Sequence, residues 1–445
     1  MSLFVVKKSG PLNGEISLSG AKNAVLPELC AGLLTEEECV IKGVPPLNDV
    51  FVLIDILRKT GADVKYDEIS QEARIKAAYT GGDVSNEHEA VKMRASFLIM
   101  GPLLARNGSA RLPLPGGCPI GSRPVDLHLK GFESLGAKIK QEHGTAEAKG
   151  AKLKGGYIYL DFPSVGATEN IIMAASITEG VTVIENAAVE PEIMDLINFL
   201  NKMGASVFCL GNGTIKITGV KRLHGTEHTV IPDRIEAGTF MAAAAVTSGD
   251  IIIKNAVYGH IKPAAAKLAE CGMTVDELEE GLRVYSTGKR KAFNIKTMPF
   301  PGFPTDMQAI FMSIMTIAKG TSIVTETVFE NRFLQAGELK RMGADIKTEG
   351  RVAVVEGVKK LTGSHVNAPD LRAGAALIIS ALAAEGQTEI GDIYHIERGY
   401  SRIDEKLRAI GADIKKIEEE TEERDKKDRN DLGNTVSIPE KKETE

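Results

Sequence analysis

The sequence predicts an α/β protein of two inside-out bodies, each built from three repeated units with buried central helices and surface strands. Three observations predict it. First, a Gly-Ala-x-(Ile/Val) signature recurs at Gly61, Gly136, Gly204, Gly343 and Gly411, with Gly272-Met273-Thr274-Val275 as a weaker copy. The intervals are 75, 68, 68, 71 and 68 residues, the mark of one supersecondary unit repeated six times. Second, each unit contains an Ala/Ile/Leu-rich segment, such as 167–178 or 373–384, that is apolar nearly all round. A helix without a polar face belongs inside. Third, short β-branched runs such as 181–184 and 251–253 follow, as strands do.

Within a unit the elements take a fixed order. The apolar helix comes first, then a Gly-led turn and the β-branched strand. An amphipathic helix follows, shown by Ile193, Leu196, Ile197, Leu200 and Met203 on one helical face. The signature Gly then ends that helix in left-handed backbone and leads into the next strand. Six units make two domains of three, with linkers near Gly20-Ala21 and near Ile231-Pro232-Asp233.

Composition narrows the function. A chain of 445 residues, 43% hydrophobic, is long enough for two or three domains. Net charge is −6, and half of it falls in residues 415–445, with 11 acidic and 8 basic residues and no aromatic. That composition predicts a solvated, disordered tail and leaves a body with no basic surface for nucleic acid. Five cysteines without a Cys-x-x-Cys pair indicate a reducing compartment rather than a disulfide framework. The start of the chain turns polar too soon for a signal peptide, and the longest apolar run, 373–384, is too short to span a membrane. A soluble, cytoplasmic protein is expected. No P-loop or dinucleotide fingerprint occurs, and His224 and His228 flank Gly225 without a cysteine partner, so neither a nucleotide cofactor nor a metal is predicted.

Polar residues fall at equivalent places. The first helices are expected to start at Lys22-Asn23, Arg94, Ser164, Asp233-Arg234, Asp306 and Arg372, and the second at Asp49, Arg123, Glu190, Lys262, Arg332 and Arg398. Cations at helix N-termini oppose the helix dipole. Their recurrence at Lys22, Arg94, Arg123, Arg332, Arg372 and Arg398 predicts a cleft for a multiply anionic ligand. Asp306 among them reads either as a helix cap or as a carboxylate able to take a proton from a hydroxyl. Residues 112–130 hold Cys118 among prolines and glycines, which predicts a loop thiol beside Arg123. A buried, inert thiol is the competing reading.

These residues carry a resemblance. Gly20-Ala21-Lys22-Asn23, Pro115-Gly116-Gly117-Cys118 with Arg123-Pro124-Val125-Asp126-Leu127-His128, Ser164-Val165-Gly166, Pro304-Thr305-Asp306, Glu330-Asn331-Arg332, Asp370-Leu371-Arg372 and Arg398-Gly399-Tyr400 resemble the enolpyruvyl transferases over about residues 1–415. The Cys-containing loop is similar to the branch whose acceptor is UDP-N-acetylglucosamine. The branch acting on shikimate 3-phosphate shares the fold without that loop. The resemblance implies domains of 21–232 and of 1–20 with 233–414. It implies transfer of the enolpyruvyl group of phosphoenolpyruvate to the sugar 3′-hydroxyl, in the first committed step of peptidoglycan synthesis, with no cofactor and no metal. It implies Cys118 as general acid and fosfomycin target, Asp306 as base, and Lys22, Asn23, Arg123 and Arg398 on phosphoenolpyruvate, with Arg94 and Arg372 in support. Pro124, Val125, Asp126, Leu127, Ser164, Val165, Gly166 and Val328 would meet the UDP-sugar, and Glu190, Asp233, Arg332 and Asp370 would line the cleft. Phe162 stands where some members carry a lysine. A shikimate 3-phosphate acceptor and a non-catalytic UDP-sugar-binding relative are the alternatives.

Overall fold

The computed structural model describes residues 2–418 except 83, 85, 86, 117–119, 122, 123, 151 and 287. Cys118 and Arg123, and the tail from residue 419, lie outside the described residues.

All six signature glycines follow a helix with φ between 89° and 105°. A side chain would strain that backbone, which is why glycine marks each repeat. Among the described residues the strands form six sheets. Five have four strands, joined by one parallel and two antiparallel pairings, and the sheet of Ser109–Pro113, Thr145–Lys149 and Lys138–Glu142 has three.

Strands far apart in sequence close the sheets. Ser2–Lys7 pairs antiparallel with Gln387–Gly391 and with Ile414–Glu418, and Asn13–Ser17 pairs parallel with Asp250–Lys254. Glu227–Thr229 completes the sheet begun by Cys39–Lys42. The strand Ile414–Glu418 corrects the expectation of a disordered tail from residue 415. Ile414 is buried opposite Val6, and Phe4 faces Lys416 across the ladder. A backbone ladder on an open strand edge is indifferent to the charged side chains that made this segment look solvated.

Two separate hydrophobic cores result, one drawn from Ala21 to Val230, the other from Phe4 to Ile16 together with Ile235 to Ile414. Helices fill both. All fourteen residues of Arg234–Thr247 are buried, and it packs on Gln308–Met315 and Leu371–Ala383. Small residues allow this approach: a Cβ on Gly238 would lie 2.7 Å from the Met307 sulfur, beside Asp306. Gly238→Ala would overpack this contact at a cost of about 1–3 kcal/mol. The chain crosses between the cores twice, side by side, with Ala21 N donating to Ile231 O at 2.7 Å and Asp233 N to Ser19 O at 2.9 Å. Among the described residues no helix is long and apolar enough to cross a membrane.

Some expected helix starts move. Arg398 lies at the C-terminal end of Tyr394–Glu397, because the buried Ile393 and Ile396 extend the helical face backward and Gly399 breaks it against Leu371. Lys262 lies inside Tyr258–Cys271. The helix expected from Arg123-Pro124 begins at Asp126, after Val125 with φ −97° and ψ 8° at the cap position.

Candidate functional site

Two charged clusters face the gap between the cores. In the first, Lys22 opens the helix Lys22–Ala31 and its Nζ lies 2.5 Å from Asp49 Oδ2. Arg398, from the other core, donates to Asp49 Oδ1 through Nε at 2.8 Å and to Oδ2 through Nη2 at 3.3 Å. Such a planar fork on a carboxylate is the strong form of ion pair. Burial pushes the Asp49 carboxyl up, but Lys22 and Arg398 outweigh it and hold the group below its usual range. Lys22 is lowered, by burial first and then by the charges of Arg372 and Arg398, against the pull of Asp49.

In the second cluster Asp306 accepts from Arg332 Nη2 at 2.7 Å on Oδ1 and from Arg372 Nη2 at 3.1 Å on Oδ2. It makes no capping hydrogen bond, so the helix-cap reading gives way to an ion-paired carboxylate. Both oxygens are occupied by guanidinium groups, which outweigh burial and hold this carboxyl well below the usual range. About 26% of its side chain remains exposed.

Two aspartates place these cations, Asp233 buried and Asp370 half-buried. Asp233 caps Arg234–Thr247 through Ile235 N at 2.7 Å and Glu236 N at 3.1 Å, while its other oxygen accepts from Lys22 N at 3.3 Å. Asp370 caps Leu371–Ala383 through Arg372 N at 2.8 Å and Ala373 N at 2.9 Å. Asp370 thus fixes the start of the helix that carries Arg372 as its cap, and Asp233 holds the start of the Lys22 helix through Lys22 N. Glu190 Oε1 accepts from Phe300 N of the other core at 3.3 Å, and burial pushes its carboxyl up. Asn23 sits half-buried one residue after Lys22.

The segments expected to meet a nucleotide sugar are joined by His128. Arg94 Nη2 donates to Pro124 O at 2.9 Å, ahead of the helix Asp126–Ser134, and Val125 and Leu127 pack on the first core. Ser164 caps Val165–Ser176 through Ala167 N at 3.4 Å. A Cβ on Gly166 would lie 3.1 Å from the His128 ring. Burial, then Arg94, lowers His128 to about 3, so the ring is neutral and its Nδ1 accepts from Asn170 Nδ2 at 3.1 Å. Beyond the Cys118 segment, Ile120 O accepts from Asn331 N of the other core at 3.1 Å, next to Arg332.

The structure joins Lys22 and Arg398 through Asp49 and joins Arg332 and Arg372 through Asp306, while Arg94 donates to Pro124 O; sequence reasoning missed Asp49, Thr305 and Glu326 as parts of the arrangement. Asp49 stood in the series of helix starts, but an acid there looks ordinary. Among the described residues, Glu28, Asp195 and His228 are the one grouping with metal-ligand spacing. There His228 Nε2 lies 2.9 Å from Asp195 Oδ1 and 3.4 Å from Glu28 Oε1, and these two groups outweigh burial and raise the ring to about 9, so Nε2 carries a proton. A proton thus occupies the position a cation would need.

Comparisons with known proteins follow the same lines. The family described as EPSP synthase (3-phosphoshikimate 1-carboxyvinyltransferase) matches residues 6–407. UDP-N-acetylglucosamine 1-carboxyvinyltransferase 1 of Caldanaerobacter subterraneus subsp. tengcongensis is 58% identical over 412 residues, covering 92% of this chain and 98% of that protein. UDP-N-acetylglucosamine 1-carboxyvinyltransferase 2 of Carboxydothermus hydrogenoformans is 54% identical over 419 residues, covering 94% and 100%. Among solved structures, the enolpyruvyl transferase NikO from Streptomyces tendae superposes with a TM-score of 0.83 at 24% identity, over 93% of this chain and 98% of that one. EPSP synthase from Acinetobacter baumannii gives 0.74 at 18% identity, over 94% and 100%.

Proposed function

The chain belongs to the EPSP synthase family of enolpyruvyl transferases, and from that premise we propose that it moves the enolpyruvyl group of phosphoenolpyruvate onto the 3′-hydroxyl of UDP-N-acetylglucosamine and releases phosphate. The observation that carries the acceptor is the 58% identity over 98% of a relative that bears that activity in its name. By its chemistry this is the first committed step of peptidoglycan synthesis, a cytoplasmic one. The site needs no metal or organic cofactor in this reading, because lysine and arginine carry the anions.

Addition across the enol requires a proton delivered to the methylene carbon and one removed from the sugar oxygen; elimination of phosphate then regenerates the double bond. Cys118 is assigned the first proton and Asp306 the second. Lys22, Asn23, Arg123 and Arg398 are assigned to phosphoenolpyruvate, with Arg94 and Arg372 in support. Residues 124–127, 164–166 and Val328 are assigned to the UDP-sugar. Glu190, Asp233, Arg332 and Asp370 are assigned to the cleft lining. Domains of 21–232 and of 1–20 with 233–414 would close over the substrates, and the Ile120–Asn331 hydrogen bond supports a Cys118 loop that serves as lid.

The ion pairs have a consequence for this chemistry. A carboxylate gripped by two guanidinium groups is ionised but a poor base. Asp306 and Asp49 are therefore read as holding the places of substrate anions. Phosphoenolpyruvate recruits Arg372 and Arg398, and the released Asp306 gains basicity as the acceptor hydroxyl arrives.

The deciding experiment is phosphate release from phosphoenolpyruvate with UDP-N-acetylglucosamine or shikimate 3-phosphate as acceptor. Release with the UDP-sugar alone is expected. Release with shikimate 3-phosphate alone rejects the acceptor, and binding of the UDP-sugar without turnover rejects the enzyme.

A further inference from the structure

We propose that Glu326 is a positioning residue for Asp306, acting through Thr305 and Arg332; the inference rests on the reading of Asp306 as the base. Glu326 follows the strand Thr321–Thr325, whose parallel partner Ile295–Lys296 is followed by Thr297. Its side chain is 1% exposed and reaches no substrate-facing surface. Oε1 accepts from Thr297 Oγ1 at 2.8 Å, Val328 N at 2.8 Å and Phe329 N at 3.2 Å. Oε2 accepts from Thr305 Oγ1 at 2.9 Å. Four donors converge on two oxygens, which is the demand an acceptor-only carboxylate meets.

The direction of the last bond matters. Thr305 has one hydroxyl proton and commits it to Glu326. Its lone pairs are then free to accept from Arg332 Nη1 at 3.1 Å, while Arg332 Nη2 holds Asp306 at 2.7 Å. Arg332 also lies over the Phe329 ring, 5.1 Å from its centroid, and Glu326 fixes the backbone that carries that ring. One buried carboxylate therefore sets both supports of the guanidinium that aims the base. An amide in its place keeps one oxygen for the Thr297, Val328 and Phe329 donors and turns its NH2 toward Thr305. The hydroxyl must then accept from the amide as well as from Arg332, and its own proton loses the carboxylate that fixed it. Glu326→Gln thus breaks the relay with almost no change of volume.

The test uses the full chain and four variants, Glu326→Gln, Thr305→Val, Thr305→Ser and the Glu326→Gln/Thr305→Val pair. Phosphate release and the 15N NMR signals of the Arg332 guanidinium in the substrate-free protein are the readouts. The expected result is a fall in kcat of about 10²-fold for Glu326→Gln and for Thr305→Val, with KM for UDP-N-acetylglucosamine changed far less. The pair is no worse than either single change, since both cut one relay. Thr305→Ser keeps the hydroxyl and recovers most of the rate. The Arg332 signals shift in Glu326→Gln and Thr305→Val and stay in place in Thr305→Ser. Losses that multiply in the pair, or Arg332 signals unmoved in both single variants, overturn the proposal. If the unaltered protein releases no phosphate with the UDP-sugar, the acceptor reading falls, and the Arg332 signals alone decide the positioning. Should Glu326→Gln fail to fold, Thr305→Val against Thr305→Ser decides it.

Discussion

Arg372 reaches Asp306 Oδ2 at 3.1 Å while Arg332 holds Oδ1 at 2.7 Å, so the carboxylate assigned as base has no free oxygen. The proposed reaction needs one of those arginines to leave, and Arg372 makes the longer contact. Its backbone is capped by Asp370, so only the side chain has to swing. Asp306→Asn removes the charge and the proton acceptor while leaving the UDP-sugar segments at 124–127 and 164–166 untouched. We expect phosphate release to fall by roughly 10²–10⁴-fold, the span of a lost general base, with binding of UDP-N-acetylglucosamine by calorimetry preserved. Turnover near that of the unaltered protein would remove Asp306 from the mechanism.

Asp49 makes the same argument at the other cluster. It is the shared partner of Lys22 and Arg398, and its side chain and that of Lys22 are almost wholly buried. Asp49→Asn leaves the Lys22 ammonium desolvated without its counter-ion. Unfolding stability is expected to drop by roughly 3 kcal/mol, as when one partner of a buried pair is removed. If Asp49 holds the place of a substrate anion, saturating phosphoenolpyruvate restores more stability to the variant than to the unaltered protein. Equal stabilisation of both, read from denaturant midpoints, would refute that role.

Much of the fold was legible because it is repeated. The six glycines at positive φ could be read as helix ends before any coordinate was known, since a single backbone demand recurs at 68–75-residue intervals. The buried helices were legible for a different reason: Arg234–Thr247 and Leu371–Ala383 show no polar stripe. What stayed hidden was non-local. Nothing in Ile414–Glu418 announces that Ser2–Lys7 offers it an edge. Arg398 was misplaced on its helix because Ile393 and Ile396 are buried ahead of it, and its partner Asp49 lies 349 residues away. Glu326 was passed over because one acid at a strand end carries no signal until Thr297 and Thr305 are seen to converge on it.

Thiol chemistry gives a third prediction. Cys30, Cys39 and Cys271 are buried, and burial pushes the thiols of Cys30 and Cys271 up and that of Cys39 up to about 11. Cys209 is exposed beside Met194, yet partial burial raises its thiol as well. Alkylation follows the thiolate, so none of these four should react readily near neutral pH. Fosfomycin, an epoxide, is expected to inactivate the protein with a single adduct on Cys118, and Cys118→Ser should resist. Peptide mass spectrometry decides this: an adduct on Cys209, or full activity after prolonged exposure, counts against the assigned acid.

The last prediction concerns pH and the buried trio of Glu28, Asp195 and His228. Burial pushes the Glu28 carboxyl up to about 8, from an ordinary value of 4.5. Between those values the folded chain keeps a proton that the unfolded chain has released. His228 acts in the same direction: its loss of solvent opposes the charge, but Asp195 and Glu28 prevail and raise it from 6.5 to about 9. In both cases the folded state binds more protons, so stability falls as pH rises, from about pH 4.5 to 8 for Glu28 and from 6.5 to 9 for His228. A full one-proton difference corresponds to a slope of about 1.4 kcal/mol per pH unit. Asp195 also accepts from Ile231 N at 2.9 Å, at the chain crossing, so the loss should loosen the link between the cores. Glu28→Gln keeps the shape and removes the titration. Its stability, from urea midpoints between pH 5 and 9, should fall less steeply than that of the unaltered protein and exceed it near pH 8. Parallel curves for the two proteins would mean that Glu28 is not the group that holds the proton.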